Sequence, residues 1–350
     1  MFVRWDNLRT EQDQASRLPV IGDAVVRTFD APEALGIRFH EIKAKSALNR
    51  VPPSSRMPFR WTVNPYRGCS HACSYCFARP THTYLNLNAG RDFEREIVVK
   101  TNIPEVLRAE LGRKSWEHEH VALGTNTDPY QWVESRYRLM PGIWAALRDS
   151  GTPGSLVTKS PLVLRDIDVL RELHEAAEMS VYLSVPTIDE GAWRETEPHT
   201  PSPRARLEAV RKLNEAGVPA GILIAPLMPG INDAPEQVEE IVRTAEDAGA
   251  ISIGSVALHL RGEVRDIFFG WLREHRPDLI PRYEEIYARG AYAAADERKR
   301  LEALVRSSRR RPPPPRPKWS QRGRMKAARE QAQTDVPTRR KREPEQPSLF

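Results

Sequence analysis

Cys69, Cys73 and Cys76 lie on one short run, Asn64-Pro-Tyr-Arg-Gly-Cys-Ser-His-Ala-Cys-Ser-Tyr-Cys-Phe-Ala78, and the 350-residue chain has no other cysteine. Their spacing is Cys-x3-Cys-x2-Cys. Three thiolates so close in sequence can hold three corners of a [4Fe–4S] cube, which usually takes four cysteines. Without a fourth, one iron keeps a position open to a small chelating molecule. The competing chemistry is a structural zinc site, with His71 or His82 completing a Cys3His set. Zinc motifs usually arrive as two separated pairs, whereas this is a single triplet. The odd count argues against disulfides, and a reducing compartment suits an iron–sulfur cluster.

The elements that must position this loop follow from the pattern of apolar runs. Candidate strands are 60–64, 121–125, 156–159, 181–185, 221–225 and 251–257. Helical patterns fall between them at 104–111, 141–149, 164–177, 203–216 and 234–248. Asn102 is the expected cap of the first helix, with Pro104 in its first turn. Asp233 is expected to open the last helix and Gly249 to close it. Alternating strand and helix predicts a parallel sheet with crossover helices. Six strands fit a partial (β/α)6 barrel of the TIM type, with chemistry at the C-terminal ends of the strands. An open doubly wound sheet is the alternative. The chain carries no Gly-x-Gly-x-x-Gly and no P-loop to support nucleotide binding of those kinds.

Residues 1–55 read as an N-terminal extension with a possible short element at 24–28, residues 56–306 as the catalytic body, and residues 307–350 as a disordered basic tail. Arg309-Arg-Arg-Pro-Pro-Pro-Pro-Arg-Pro317 cannot build a helix or strand, because proline removes backbone donors. Hydrophobic residues make up 40% of the chain, enough for a core, and the net charge is +6. Residues 306–350 hold 14 Lys/Arg against four acids, so the tail carries +10 and the remainder −4. The expected partner of such a tail is a phosphate polymer, DNA above all, bound by counterion release. No apolar run approaches the ~18 residues of a spanning helix, and no N-terminal apolar leader is evident. A cytoplasmic protein without membrane attachment is expected.

The cysteine loop, with Tyr75 before its third cysteine, resembles the signature of the radical S-adenosylmethionine (SAM) superfamily. Ala44–Val51, Asn64–Cys69, Gly124-Thr-Asn-Thr-Asp-Pro-Tyr-Gln131, Thr158-Lys-Ser160 and Ala225-Pro-Leu-Met-Pro-Gly-Ile-Asn-Asp233 extend the resemblance to its spore photoproduct lyase-like branch, the "DNA repair photolyases". The match covers most of residues 40–290. It implies a [4Fe–4S] cluster held by Cys69, Cys73 and Cys76, with SAM chelated to the fourth iron and cleaved to a 5′-deoxyadenosyl radical. The cluster and SAM supply the hard step and the protein supplies orientation. By resemblance Lys159 and Ser184 match positions near the SAM carboxylate and ribose, and Thr127 and Asp128 the segment contacting the methionine amine. A carboxylate suits that ammonium group. Tyr75 and Phe77 are candidates to pack the adenine. A plain hydroxyl within a strand is the alternative for Ser184. The resemblance also implies an electron donor such as a flavodoxin or ferredoxin.

Spore photoproduct lyase is similar to this chain but has a further cysteine beside the Ser/Thr-Asp pair that returns a hydrogen atom to the product. Here Asn126 stands at that place, so repair by the same thiol relay is not expected. The polar residues around Glu197-Pro-His199, Arg204 and Arg206 are expected to cap a helix or lie solvated, although Arg206 could reach SAM or a phosphate. His118 and His120 read as surface residues. His259 follows the sixth strand on the active face, where a core role or a substrate contact is expected. Gln346-Pro-Ser-Leu-Phe350 resembles the peptide by which bacterial repair proteins dock on the sliding clamp. The expected function is a radical SAM enzyme acting on nucleic acid, in the manner of DNA lesion repair; the alternatives are a radical SAM enzyme on another substrate and a non-enzymatic zinc-binding nucleic-acid adaptor.

Overall fold

A computed structural model describes residues 24–52, 55 and 57–312. The clamp-like peptide at 346–350 and most of the basic tail lie outside the described residues. Eleven strands fall in chain order: β1 (Val25–Arg27), β2 (Arg38–Ile42), β3 (Leu48–Arg50), β4 (Trp61–Val63), β5 (Tyr66–Arg67), β6 (Glu96–Lys100), β7 (Val121–Leu123), β8 (Gly154–Thr158), β9 (Met179–Ser184), β10 (Ala220–Leu227) and β11 (Ile253–Ala257).

The six expected strands are β4 and β7 to β11. They pair in parallel as neighbours, and β3 adds an antiparallel edge to β4, giving the order β11-β10-β9-β8-β7-β4-β3. This is the partial (β/α)6 arrangement. The strands read as nearly continuous apolar runs because both faces of a parallel sheet are covered. Val121, Leu123, Leu156, Val181, Leu183, Ile222 and Ile224 are all buried.

The covering helices follow the 3.6-residue period. Ile103–Leu111 buries Ile103, Leu107 and Leu111, and Pro235–Asp247 buries Val238, Ile241, Val242 and Ala245. Ser202 caps Pro203–Glu215 by accepting from the Ala205 N–H at 3.3 Å, with Pro203 in the first turn where its missing N–H costs nothing. Asn102 stands at the cap of Ile103–Leu111 as expected; the other expected cap differs. Ala234 occupies the cap before Pro235, while Asp233 instead accepts from the Gly230 N–H at 2.6 Å and pairs with Arg300. The Asn102 side chain makes no cap bond; it exchanges two hydrogen bonds with the backbone of Ala44 (2.7 and 3.0 Å). The pattern at 164–177 begins as a 3-10 turn, Pro161–Asp166, before the α-helix Ile167–Ala176.

A second sheet, β1-β2-β6-β5, was foreshadowed only by the short element expected at 24–28, where β1 lies. Its β2 comes from the N-terminal extension and pairs in parallel with β6. At the other end of the chain, the backbone N–H groups of Arg310 and Arg311 donate to Glu246 (3.1 and 3.2 Å), and the Arg310 guanidinium meets Glu246 and Asp247 (2.9 and 2.5 Å). Arg309 donates to the carbonyl of Ile253, the first residue of β11. The chain therefore departs toward its tail at the N-terminal ends of the parallel strands, opposite the cysteine loop that follows β4.

Candidate active site

The cysteine loop is held at nearly every residue. Gly68 enters it with φ +87°, and a Cβ there would lie 2.8 Å from His82 and 2.9 Å from Ile97, so the position requires glycine. The Cys69 N–H donates to the Phe93 carbonyl at 2.9 Å. The buried Gln131 amide grips both sides of Cys69: its Nε2 donates to the Gly68 carbonyl and its Oε1 accepts from the Ser70 N–H, each at 3.0 Å. Ala72 adopts a left-handed φ of 55° between the first two cysteines, and the Ser74 N–H donates to the Thr196 carbonyl at 3.0 Å.

Arg79 is the centre of this packing and was not apparent as a candidate in the sequence. It is wholly buried and its guanidinium donates to the carbonyls of Ala72 (3.2 Å), Cys73 (2.8 Å), Ala89 (3.2 Å) and Gly90 (3.0 Å), while pairing with Glu94. A lysine keeps the charge but has no planar fork to reach opposite carbonyls. Arg79→Lys is expected to cost roughly 2–4 kcal/mol through buried carbonyls left unpaired and to lower iron retention severalfold with all three thiols intact. Iron per chain and denaturant unfolding measure this; full iron occupancy in the variant would refute it.

Cys69 and Cys73 are buried and Cys76 half-buried, all three reduced. Burial pushes the Cys73 thiol up to about 12, with the Glu197 carboxylate adding. Burial also raises Cys69 well above the ordinary range, helped by Asp128 and the other two sulfurs. Cys76 is raised by burial against the pull of Arg79. Thiols so placed ionise against a bound metal, which displaces the proton outright. The donor set fits a cube, with one thiolate per iron. A structural zinc needs all its ligands within about 2.0–2.3 Å of one point. Among the described residues no group of three or more His, Cys, Asp or Glu side chains is arranged to hold an ion that way. His82, one zinc candidate, instead bonds the Glu96 carbonyl at 2.9 Å through Nε2.

Beside the loop, at the C-terminal ends of β8 and β9, lies a closed polar assembly. Lys159 Nζ donates to Ser184 Oγ at 2.6 Å, meets Glu197 Oε1 at 3.2 Å and lies 5.7 Å from the Tyr75 ring centroid. The Tyr75 hydroxyl donates to the same Glu197 oxygen. Arg206 donates to Glu197 Oε2 (2.6 Å), Thr200 Oγ1 (2.6 Å) and the Ser184 carbonyl (2.9 Å). Glu197 and Arg206 are both fully buried, which corrects the expectation of solvated or capping charges. Their pairing spans nine residues and one helix start, so no local pattern reveals it. Burial would raise Glu197, but Arg206 and then Lys159 overcome it and bring its carboxyl down to about 2.

Other candidates are committed to the framework. Asp128 accepts from the Lys159 N–H (2.7 Å), Thr158 Oγ1 (2.7 Å) and the Tyr130 N–H (2.9 Å). Thr127 donates to the Tyr66 carbonyl at 2.9 Å, and Ser184 donates to the Ala225 carbonyl at 3.0 Å. Gly124 aims this segment: at φ +74°, a Cβ would fall 1.8 Å from the Val157 carbonyl oxygen. Phe77 is largely exposed, in contrast to buried Tyr75. His120 is buried rather than on the surface, and burial lowers it to about 3. His259 is half-buried and stacks on exposed Tyr292 at 4.4 Å between centroids. Among the described residues no helix is long and apolar enough to cross a membrane.

The Radical SAM superfamily model matches residues 63–254, more than half of the chain, from the last residue of β4 to the second residue of β11. The chain belongs to the radical SAM superfamily. A protein of Mycobacterium tuberculosis named only as uncharacterised is 47% identical over 281 residues, covering 80% of this chain and 83% of its own length. Another uncharacterised protein, from Methanocaldococcus jannaschii, is 27% identical over 201 residues, covering 56% and 70%. Among solved structures, spore photoproduct lyase complexed with dinucleoside spore photoproduct superposes with a TM-score of 0.57 at 18% identity, covering 77% of this chain and 78% of that one. At that identity the likeness is one of fold. As a radical SAM protein the chain uses a [4Fe–4S] cluster and SAM, and the bound pair supplies reductive SAM cleavage to a radical that abstracts hydrogen. The thiol loop is the part of this chain that would hold such a cluster.

Proposed function

We propose that this radical SAM protein acts on nucleic acid, in a reaction of the DNA-lesion-repair kind. The observation that carries the reading is the assembly of Lys159, Glu197, Arg206, Tyr75 and Ser184 against the thiol loop, on the fold that spore photoproduct lyase uses with a dinucleoside photoproduct. In this reading Cys69, Cys73 and Cys76 hold the cluster. Lys159 has used two of its three N–H donors on Ser184 and Glu197, leaving one for the SAM carboxylate. Glu197 and Arg206 keep that ammonium in place, Tyr75 walls the pocket, and Thr127 and Asp128 shape the backbone where the methionine amine binds. No cysteine remains for hydrogen return, since all three serve the cluster.

The deciding experiment incubates anaerobically reconstituted protein with reductant, SAM and ultraviolet-damaged DNA or RNA, then quantifies nucleosides by mass spectrometry. Loss of one lesion in step with 5′-deoxyadenosine is expected. SAM cleavage with every nucleoside unchanged would leave the superfamily chemistry standing and remove the nucleic-acid substrate.

The basic tail supports the reading as a tether, because the chain departs from the end of the barrel opposite the thiol loop. Truncation after Pro312 is expected to leave SAM cleavage unchanged and to weaken DNA binding, with a shallower dependence of affinity on salt. Equal salt slopes for both proteins would show that the tail does not carry the binding. We further propose that Gln346–Phe350 docks on a sliding clamp and that a flavodoxin or ferredoxin delivers the electron.

A further inference from the structure

We propose that Arg67 and Lys100 form a binding site for a phosphate oxyanion, filled by one backbone phosphate of the substrate; this rests on the nucleic-acid reading above. β5 and β6 pair antiparallel with Tyr66 opposite Val99 and Arg67 opposite Val98. Side chains alternate across a strand, so Arg67, Val98 and Lys100 share one face while Tyr66 and Val99 enter the core. Arg67 directly precedes Gly68 and Cys69. Lys100 Nζ donates to the Asn64 carbonyl and its backbone N–H to the Pro65 carbonyl, each at 3.0 Å. The two cations thus flank the stretch that leads from β4 into the cysteine loop.

Neither has an acidic partner among the described residues. The carboxylate on their face of β6, Glu96, is already held by Arg38 (2.9 Å) and His40 (2.6 Å). Burial, then the charge of Arg67, bring Lys100 down to about 8. Two half-buried like charges with no counter-ion are unfavourable for folding, so their presence points to a ligand. Asn64 adds capacity: its Oδ1 is buried and unpaired, and turning the amide over presents the NH2 group instead. The SAM assembly draws on other charges, namely Lys159, Glu197 and Arg206. A guanidinium beside an ammonium is the donor set that nucleic-acid phosphates take.

The test uses the full reconstituted chain and three probes: thymidylyl-thymidine with its phosphodiester, the same dinucleoside with a neutral methylphosphonate linkage, and inorganic phosphate. The charged dinucleoside is expected to bind at least about tenfold tighter than the neutral one, the scale of one charge-assisted contact. Lys100→Met and Arg67→Met should each erase most of that preference, leaving affinity for the neutral probe, iron content and uncoupled SAM cleavage unchanged. If Lys100→Met loses iron, Lys100→Arg decides: a retained preference supports the site and a lost one overturns it. Binding of the charged dinucleoside without dependence on its charge or on these residues overturns the site and leaves the nucleic-acid reading intact. Inorganic phosphate bound in a Lys100-dependent way, with neither dinucleoside binding, upholds the oxyanion site and overturns nucleic acid as its source.

Discussion

Alanine at any one of Cys69, Cys73 or Cys76 is expected to abolish SAM cleavage and bring iron close to background. The loop offers three sulfurs: the chain has no fourth cysteine, His82 is engaged with the Glu96 carbonyl, and His71 Nδ1 faces Asp128 at 3.5 Å. Residues that act as one unit are strongly non-additive. Double and triple alanine variants should therefore be no worse than single ones. Iron and sulfide assays, with chromatography of 5′-deoxyadenosine, measure the result. Stoichiometric zinc without iron in the unaltered protein would reverse the assignment of this loop. The packing of the loop predicts a further distinction: alanine variants should remain folded, since Arg79 and Gln131 grip its backbone rather than its sulfurs.

The second large effect is expected at Arg206. Arg206→Met leaves Glu197 fully buried with Lys159, Tyr75 and the Thr200 hydroxyl to oppose its charge. Breaking a buried pair from one side costs about 3–5 kcal/mol, mostly for the charge left behind. SAM cleavage should fall as well, because Glu197 positions Lys159. The double variant Arg206→Met with Glu197→Gln removes both charges and should recover much of the lost stability. A double variant no more stable than the single one would show that the two side chains are not coupled.

Glu197 also predicts a pH dependence. Its carboxyl is depressed from the ordinary value near 4.5 to about 2 in the folded chain. A depressed carboxyl adds stability above its unfolded value, and that stability is lost as pH falls toward the folded one. The unaltered protein should lose this contribution between about pH 4.5 and 2. In Arg206→Met the carboxyl protonates earlier, so the stability gap between the two proteins should narrow as pH falls. Acid titrations followed by circular dichroism would show a constant gap if Glu197 were not the group responsible.

The parallel sheet was legible because each strand from β7 to β10 is largely buried, with a helix of clear periodicity before or after it. Of the small sheet only the element at 24–28 was legible, since its strands pair with segments far away in sequence. Residue 38 pairs with residue 96, a relation set by packing of the whole chain. Boundaries moved by one to three residues for the same reason, as at β8, which begins at Gly154 rather than 156.

By itself the sequence determined the chemistry of the thiol loop, because three cysteines within eight residues meet through local chain geometry alone. It also determined the repeating strand-helix order and the separation of a basic tail from an acidic body. Only the tertiary structure decided which charges serve the site. Glu197 and Arg206 look like a solvated helix entrance in one dimension; burial makes them a desolvated pair that holds Lys159. Arg79 looks like any loop arginine until four carbonyls turn toward it. A charged side chain takes its role from its desolvation and its partners, and both are set when distant segments pack.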